Sequence, residues 1–242
     1  MQNILTIPAQ GCTLGLTLWY TSVLPSLLPF FILSGLLIRT GAFRFLNRIF
    51  APVLTRIFPV SSDGSYAILM GYLCGFPMGA KVIAELVAHQ HISREEGSYL
   101  MVFCNNVSPA FLITYFLTLH LSHPEKIPLT FFLLYGIPAV LCLGFLFFQR
   151  NTHSFREKKT SKPVLSLALL DACIYDAITG LLKLGGYIIL FSVLSNVITH
   201  IPRIRAESAA FFSCFLEITG GIPAVTAAFA YPQSYVILLP FL

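Results

Sequence analysis

The sequence predicts an all-α membrane protein, a polytopic helical bundle with an inverted repeat, re-entrant hairpins and broken transmembrane helices. Charged residues make up 10% of the 242 positions and hydrophobic residues 56%, whereas a soluble domain carries about 25% charge. Several apolar runs approach the roughly 20 residues that cross the hydrocarbon of a bilayer. Two apolar runs combine at least two glycines closely with a proline, as GYLCGFPMGA (Gly71–Ala80) and TGGIPA (Thr219–Ala224).

The two Gly/Pro segments matter because backbone that leaves the helical conformation has unpaired N–H and C=O groups. Hydrocarbon offers these groups no partner, so such backbone persists at membrane depth only inside protein or beside a polar cavity. Two breaks in corresponding halves of a chain point to a transport site. The two segments therefore predict a membrane carrier.

The chain begins with a predicted span at Cys12–Ile38, which we expect Pro25 and Pro29 to interrupt. The first 38 residues carry no charge, and without a basic start this segment is predicted to be a retained span and not a cleaved leader. In the basic loop Arg39–Ser62, apolar residues alternate with arginine at near-helical spacing, as FRFLNRIFAPVLTRIF. This pattern predicts a helix that lies in the membrane interface.

The rest of the chain divides into further apolar segments. A Gly/Pro-rich segment at Tyr66–Val87 is followed by a span at Gly97–Leu119, which the polar run NNVSP breaks near its centre. Next come a clean span at Pro128–Phe148, an amphipathic piece at Val164–Thr179 and a span at Leu181–His200. The predicted domains are a first repeat at 1–149, a basic cytoplasmic linker at 150–162 and a second, incomplete inverted repeat at 163–242.

The charge distribution favours a hairpin over a full crossing at Tyr66–Val87. If this segment crossed the membrane, the basic loop before it and the basic linker at 150–162 would face opposite sides. If the chain turns back at Phe76–Met78, both basic clusters face the cytoplasm, as the positive-inside rule requires. The second half then has the reverse orientation, with Gly75-Phe76-Pro77 matching Gly221-Ile222-Pro223 in an inverted repeat.

Lys81 and Glu85 are the first candidates for a solute site. They lie four residues apart, so they share one face of the helix that leaves the hairpin tip. Ionisable groups inside a membrane are functional candidates, with Lys81 beside an anion and Glu85 holding the lysine or binding a coupling cation. The alternative is a charge pair that neutralises itself near the interface.

Asparagine and glycine supply the rest of the site in the first half. Asn105, Asn106 and Ser108 precede a proline that frees backbone carbonyls, and asparagine amides both donate and accept hydrogen bonds. The alternative is hydrogen bonding between helices. The glycines at 71, 75 and 79 fit either a broken tip, whose N–H groups suit a carboxylate, or small-xxx-small packing. Pro77 favours the broken tip.

The second half contributes Glu217, Thr219 and Gly221 at a matching depth, where Glu217 would bind a coupling ion or contact Lys81; the alternative is a Glu217 at the membrane interface. The sequence contains no Ser–His–Asp arrangement, catalytic carboxylate pair or phosphate loop, so we expect no enzyme. The six cysteines and six histidines lack metal-ligand spacing, so we expect buried cysteines, interfacial histidines, and no metal or cofactor; the coupling ion is left open. The net charge of +5 lies in loops that set orientation, and no nucleic acid partner is expected.

Five segments resemble the YlbJ-type sporulation integral membrane protein family, whose members contain the nucleoside-recognition, or gate, domain. They are LPSLLPFFILSGLL, GYLCGFPMGAK, FCNNVSPAF, LLKLGGYIILFSVLSNVI and LEITGGIP. The resemblance implies a fold like half of a concentrative nucleoside transporter, and a role in moving dipicolinic acid from the mother cell towards the forespore. Family members usually continue past the position of Leu242 with another Gly-rich broken helix. By motif, the resemblance implies a site at Gly75, Pro77, Gly79, Lys81, Asn105, Asn106, Ser108, Glu217, Thr219 and Gly221.

Residues and resemblance together predict a multi-pass, transporter-like protein of the bacterial cell membrane. It would move a small anionic or heteroaromatic solute, such as dipicolinate, by alternating access. The alternatives are a nucleoside carrier and a non-transporting membrane scaffold in spore-envelope assembly. The expected partners are membrane lipid, the small-molecule solute, and a second copy of the chain (a homo-oligomer) or a partner membrane protein.

Overall fold

The computed structural model describes residues 6–148, 166–201 and 204–242, and within these ranges every regular element is helical. The all-α prediction is therefore confirmed. The basic linker predicted at 150–162 lies outside the described residues. The α-helices are α1 (Thr6–Leu18), α2 (Leu24–Thr40), α3 (Phe43–Ile57), α4 (Ser62–Cys74), α5 (Met78–Ala88), α6 (Arg94–Phe103), α7 (Ile127–Phe131), α8 (Ile137–Phe148), α9 (Leu167–Thr199), α10 (Ala206–Leu216), α11 (Ile218–Ala228) and α12 (Gln233–Leu238).

The first span is one helix of 35 residues, Thr6–Thr40, and the predicted interruption at Pro25 and Pro29 is wrong. A π-helical segment, Trp19–Val23, joins α1 to α2 directly before Pro25. Proline removes a backbone donor and its ring clashes with the preceding turn. The wider π turn gives that ring room without ending the helix.

Two other helices are also long and apolar enough to cross a membrane, Pro124–Gly144 and Leu167–Thr199. Leu167–Thr199 corrects a prediction, because one 33-residue helix, α9, runs through most of the amphipathic piece predicted at Val164–Thr179 and of the span predicted at Leu181–His200. Glycines occur in this stretch but proline does not. Glycine weakens a helix by about 1 kcal/mol without removing a hydrogen bond, so packing keeps α9 continuous.

The predicted interfacial helix is present as α3. Phe43, Asn47 and Ala51 face the protein and are buried, whereas Phe45 and Ile49 are 77% and 66% exposed. A helix that buries one stripe and exposes apolar side chains beside it suits a membrane interface.

The predicted Gly/Pro hairpin consists of α4 and α5, which pack against each other on either side of a break at Gly75–Pro77. The break in the predicted span at Gly97–Leu119 is also confirmed. There α6 ends at Phe103, residues 105–108 are non-helical, and a π-helical segment runs over Phe111–His120. Whether the hairpin turns back within the membrane stays a prediction.

The second hairpin has a different register from the predicted one. Its helices α10 and α11 meet at Glu217, and the TGGIP segment lies inside α11 instead of forming the tip. Pro223 is tolerated because it is the sixth residue of α11, where its missing N–H costs one helical bond. The match of Gly75-Phe76-Pro77 with Gly221-Ile222-Pro223 is therefore wrong, since only the first triplet lies at a break.

The chain forms two compact units. One combines the chain up to Phe30 with Phe116–His123 and the chain from Ile174 onwards, and the other combines Phe31–Tyr115 with Pro124–Cys173. In the first unit, α1 packs on α9 through two glycines. A Cβ on Gly11 or Gly15 would lie 2.7 Å from the Cα of Val193 or Ile189 respectively.

Candidate functional site

The hairpin tip in the second unit packs directly on the unwound segment of the broken span. Gly75 ends α4 with φ of +72°, a conformation that L-residues other than glycine rarely adopt. A Cβ at this position would lie 2.6 Å from the Cα of Ser108. The backbone N–H of Phe76 donates to the carbonyl of Asn106 over 2.5 Å. Backbone at the tip is thus satisfied by backbone of the unwound segment.

Gly71 and Gly79 bring the same segment close to both arms of the hairpin. The carbonyl of Cys104 occupies the space that a Cβ on either glycine would need. The small-xxx-small alternative is therefore partly right, because these two glycines do serve packing. They pack against non-helical backbone, however, and Gly75 between them forms the break.

Most polar groups of the unwound segment hold the segment itself in place. The Asn106 side-chain amide donates to the carbonyl of Phe103 over 2.8 Å, and Ser108 Oγ accepts from the N–H of Phe111 over 3.2 Å. The hydroxyl of Tyr135 donates to the carbonyl of Val107. Asn105 differs, because its Oδ1 is buried without a hydrogen-bond partner among the described residues. A role of Asn105 in solute binding stays a prediction.

The Lys81–Glu85 ion pair lies on the helix that leaves the tip. Lys81 Nζ is 2.5 Å from Glu85 Oε1, and the two side chains are 14% and 16% exposed. The ammonium also donates to the carbonyl of Phe31 over 3.2 Å and lies 4.9 Å from the centre of its ring. Phe31 belongs to the first helix that is long and apolar enough to cross a membrane, so the pair contacts that helix.

Pro77 is the N-cap residue of α5, directly before its first helical residue. The structure therefore brings Gly75 against Ser108 and Gly79 against Cys104, and Phe76 bonds to Asn106, all in one unit. The same unit contains Lys81, Glu85 and Asn105.

The candidates of the second half lie in the first compact unit and have a clear local role. Glu217 caps α11, because its carboxylate accepts from the N–H of Thr219 over 2.9 Å and from that of Gly220 over 2.6 Å. The Thr219 hydroxyl donates to the same carboxylate. A Cβ on Gly221 would lie 2.6 Å from the backbone N of Cys214, so this glycine lets α10 approach α11. A role in solute binding stays a prediction for all three.

A buried charge network near the start of α4 was not predicted. Arg44 of α3 donates from Nε and Nη2 to Asp63, over 3.0 and 2.6 Å, and His91 Nδ1 lies 3.2 Å from the same carboxylate. Glu96 accepts from the backbone N–H of Ser61 over 2.6 Å. Burial alone would raise the pKa of Asp63, but hydrogen bonds from His91 and Arg44 outweigh it and lower the pKa.

This network ties the exposed helix α3 to the hairpin. It also corrects the expectation of an interfacial His91, which is 5% exposed. The sequence feature that could have indicated this network is an acidic residue in the first turn of α4 and of α6, Asp63 after Ser61 and Glu96 after Ser93. Both serines cap their helices, and such acids are usually explained by the helix dipole alone.

Comparison with known proteins supports the resemblance noted above. Residues 20–122 match the family model described as Gate, nucleoside recognition. The chain is 34% identical over 207 residues to the sporulation integral membrane protein YlbJ of Bacillus subtilis (strain 168), which covers 76% of this chain. The chain spans half the length of that relative. No solved structure matches the chain.

The matched family region includes the hairpin, the unwound segment and the Lys81–Glu85 pair. The same region begins within the first long apolar helix. Residues 20–122 therefore match the gate, nucleoside-recognition family, and much of the chain is similar to a sporulation integral membrane protein.

Proposed function

We propose that this chain is a carrier in the bacterial cell membrane, with several membrane-spanning helices, that moves a small anionic heteroaromatic solute. Dipicolinate, a pyridine ring with two carboxylates, is the solute that suits the chemistry best. The observation that carries the proposal is the half-buried ammonium of Lys81 near a hairpin break and an unwound helix. A charge inside a membrane protein is costly unless it is paired, and a transport site is one reason to keep it.

Lys81 supports an anionic solute because one of its donors remains for a ligand. An ammonium has three N–H donors, and Phe31 and Glu85 take two of them in the described part of the chain. The third can bind a solute carboxylate. Asn105 offers an amide with both donor and acceptor capacity for a ring nitrogen or a second carboxylate.

The hairpin break and the unwound segment support movement of the solute through the membrane. Non-helical backbone beside a small polar site is the arrangement expected where solute access alternates between the two sides. In this proposal α3 lies in the membrane interface, with its exposed apolar face in contact with lipid and Arg48 at the headgroup level.

A nucleoside is the second candidate solute. Two observations favour it: the family model is described by nucleoside recognition, and the unpartnered Oδ1 of Asn105 would accept from a sugar hydroxyl or a base amino group. It is the weaker candidate because a neutral nucleoside gives the half-buried ammonium of Lys81 no anion to pair with.

Equilibrium binding separates the two candidates. Purified full chain in lipid nanodiscs is titrated with dipicolinate, and then with uridine as a competitor. We expect dipicolinate to bind, uridine not to displace it, and the variants Lys81→Met and Asn105→Ala to weaken binding. Lys126→Met is the matched control, since Lys126 lies in the 3-10 turn Pro124–Lys126 outside the site. Binding of uridine without binding of dipicolinate would reject the anionic solute.

A further inference from the structure

Glu85 has one carboxylate oxygen that the ionised form leaves unsatisfied. Its Oε1 accepts from Lys81, but Oε2 is buried and has no hydrogen-bond partner among the described residues. A buried carboxylate oxygen without a donor loses the hydration it had in water and gains nothing in return. Among the described residues, the ammonium of Lys81 is the hydrogen-bond donor to this carboxylate.

A phenol and a thiol lie near Glu85, besides Lys81. Ser34 of α2 and Tyr66 of α4 are both buried, and neither hydroxyl has a hydrogen-bond partner among the described residues. Tyr66 is close enough for its phenol to be influenced by the charge of Glu85. A Cβ on Gly35 would lie 3.6 Å from Glu85 Oε1 and 3.5 Å from the thiol of Cys173 on α9.

Among the groups just named near Glu85, Lys81 is the one that carries a positive charge. Ser34, Tyr66, Cys173 and the Phe31 carbonyl are neutral, and hydroxyl oxygens accept hydrogen bonds readily. A protonated carboxyl group at Glu85 would have an O–H donor for one of these acceptors. The pocket therefore accommodates two states of Glu85: an ionised one paired with Lys81, and a protonated one without that pair.

We propose that Glu85 is the proton-exchange site of the carrier, an inference that rests on the proposed function. When a solute carboxylate takes the ammonium of Lys81, Glu85 loses its cation and binds a proton from water at Oε2. When the solute leaves, Lys81 returns to Glu85 and the proton goes back to water. No other bond forms or breaks, and each anion moves together with a proton.

Infrared spectroscopy tests the charge exchange without any solute. We expect the full-length variant Lys81→Met to show the C=O band of a carboxylic acid near neutral pH, because Glu85 then has no cation. The band is expected to be absent from wild type, from the matched control Lys126→Met, and from the double variant Lys81→Met/Glu85→Gln. Absence of the band from a folded Lys81→Met variant would overturn the proposal.

Proton movement in proteoliposomes tests the coupling. We expect entry of dipicolinate to acidify an internal pH dye, and Glu85→Gln to lower the ratio of protons to anions moved, whatever its effect on rate. An unchanged ratio would overturn the coupling. If no dipicolinate moves while the infrared band behaves as expected, the proposed solute is wrong and the exchange between Lys81 and Glu85 stands.

Discussion

Gly75 carries two constraints at the residue scale, and they can be separated experimentally. Its φ of +72° disfavours any side chain, and the backbone of Ser108 lies where a Cβ would go. Gly41 has nearly the same φ, +71°, but a Cβ there would meet nothing within 4 Å. Comparing the two glycines therefore separates backbone strain from the contact between hairpin tip and unwound segment.

We predict that Gly75→Ala is the more damaging of the two substitutions. Gly41→Ala should lower the free energy of unfolding by about 1 kcal/mol through strain alone. Gly75→Ala should cost at least about 2 kcal/mol more, because the hairpin must move away from Ser108. Thermal unfolding of both variants in detergent measures the difference. Equal losses would mean that the tip does not pack on the unwound segment as described.

Asp63 gives a prediction about acid stability. The pKa of Asp63 is lowered in the folded state. Its ionised carboxylate therefore adds to the free energy of unfolding above the unfolded pKa of about 3.9, and this stabilisation is lost as the pH falls through the folded-state pKa. Asp63→Asn should therefore lower the free energy of unfolding near neutral pH, by about 2 kcal/mol for the lost charged hydrogen bonds. Wild type and variant should converge in strong acid. Glu207→Gln, at an exposed position on α10, is the control. A difference in stability between wild type and Asp63→Asn that persists in strong acid would contradict the stabilising role of the ionised Asp63.

At the scale of elements, two of the helix breaks predicted from glycine, proline and asparagine are present in the structure. The hairpin break at Gly75–Pro77 and the unwound run after Phe103 were both found. The TGGIP segment and Pro25 were predicted as breaks and are helical, because a local motif does not reveal the neighbour that supports it. For Gly221 that neighbour is the backbone of Cys214.

Local sequence motifs also fail to reveal side-chain partners that lie far apart in the chain. The spacing of Lys81 and Glu85 predicted their pairing, since residues four apart meet on a helix. The contact of Lys81 with Phe31 spans 50 residues, and the network of Arg44, Asp63 and His91 joins three separate segments. Such contacts depend on tertiary packing and leave no periodic signal in the sequence.

The packing of α1 on α9 gives a prediction for a helix pair. Alanine normally stabilises a helix relative to glycine by up to about 1 kcal/mol. We expect that gain for Gly186→Ala, where a Cβ would meet nothing within 4 Å. Gly15→Ala should instead destabilise the protein, by about 1–3 kcal/mol, because its Cβ would press on Ile189. Chemical unfolding of both variants tests this, and a stabilising Gly15→Ala would argue against the close approach.

At the scale of the whole molecule, the predicted membrane turn of the hairpin is open to a labelling test. Pro59 precedes α4 and Ala88 ends α5, and both are exposed. If the chain turns back within the membrane, cysteines placed at these positions should react with an impermeant reagent from the same side. The natural cysteines serve as the background to be subtracted. Reaction from opposite sides would show a full crossing and reject the re-entrant hairpin.

Uptake of dipicolinate by proteoliposomes that contain the full chain tests the central claim most directly. We predict uptake by wild type and by Lys126→Met, and a loss of about tenfold or more in Lys81→Met, the effect of removing roughly 1.4 kcal/mol or more of binding. Thermal unfolding of each variant establishes that it is folded. Uptake by folded Lys81→Met at the wild-type rate would contradict the claim that the Lys81 ammonium binds the solute.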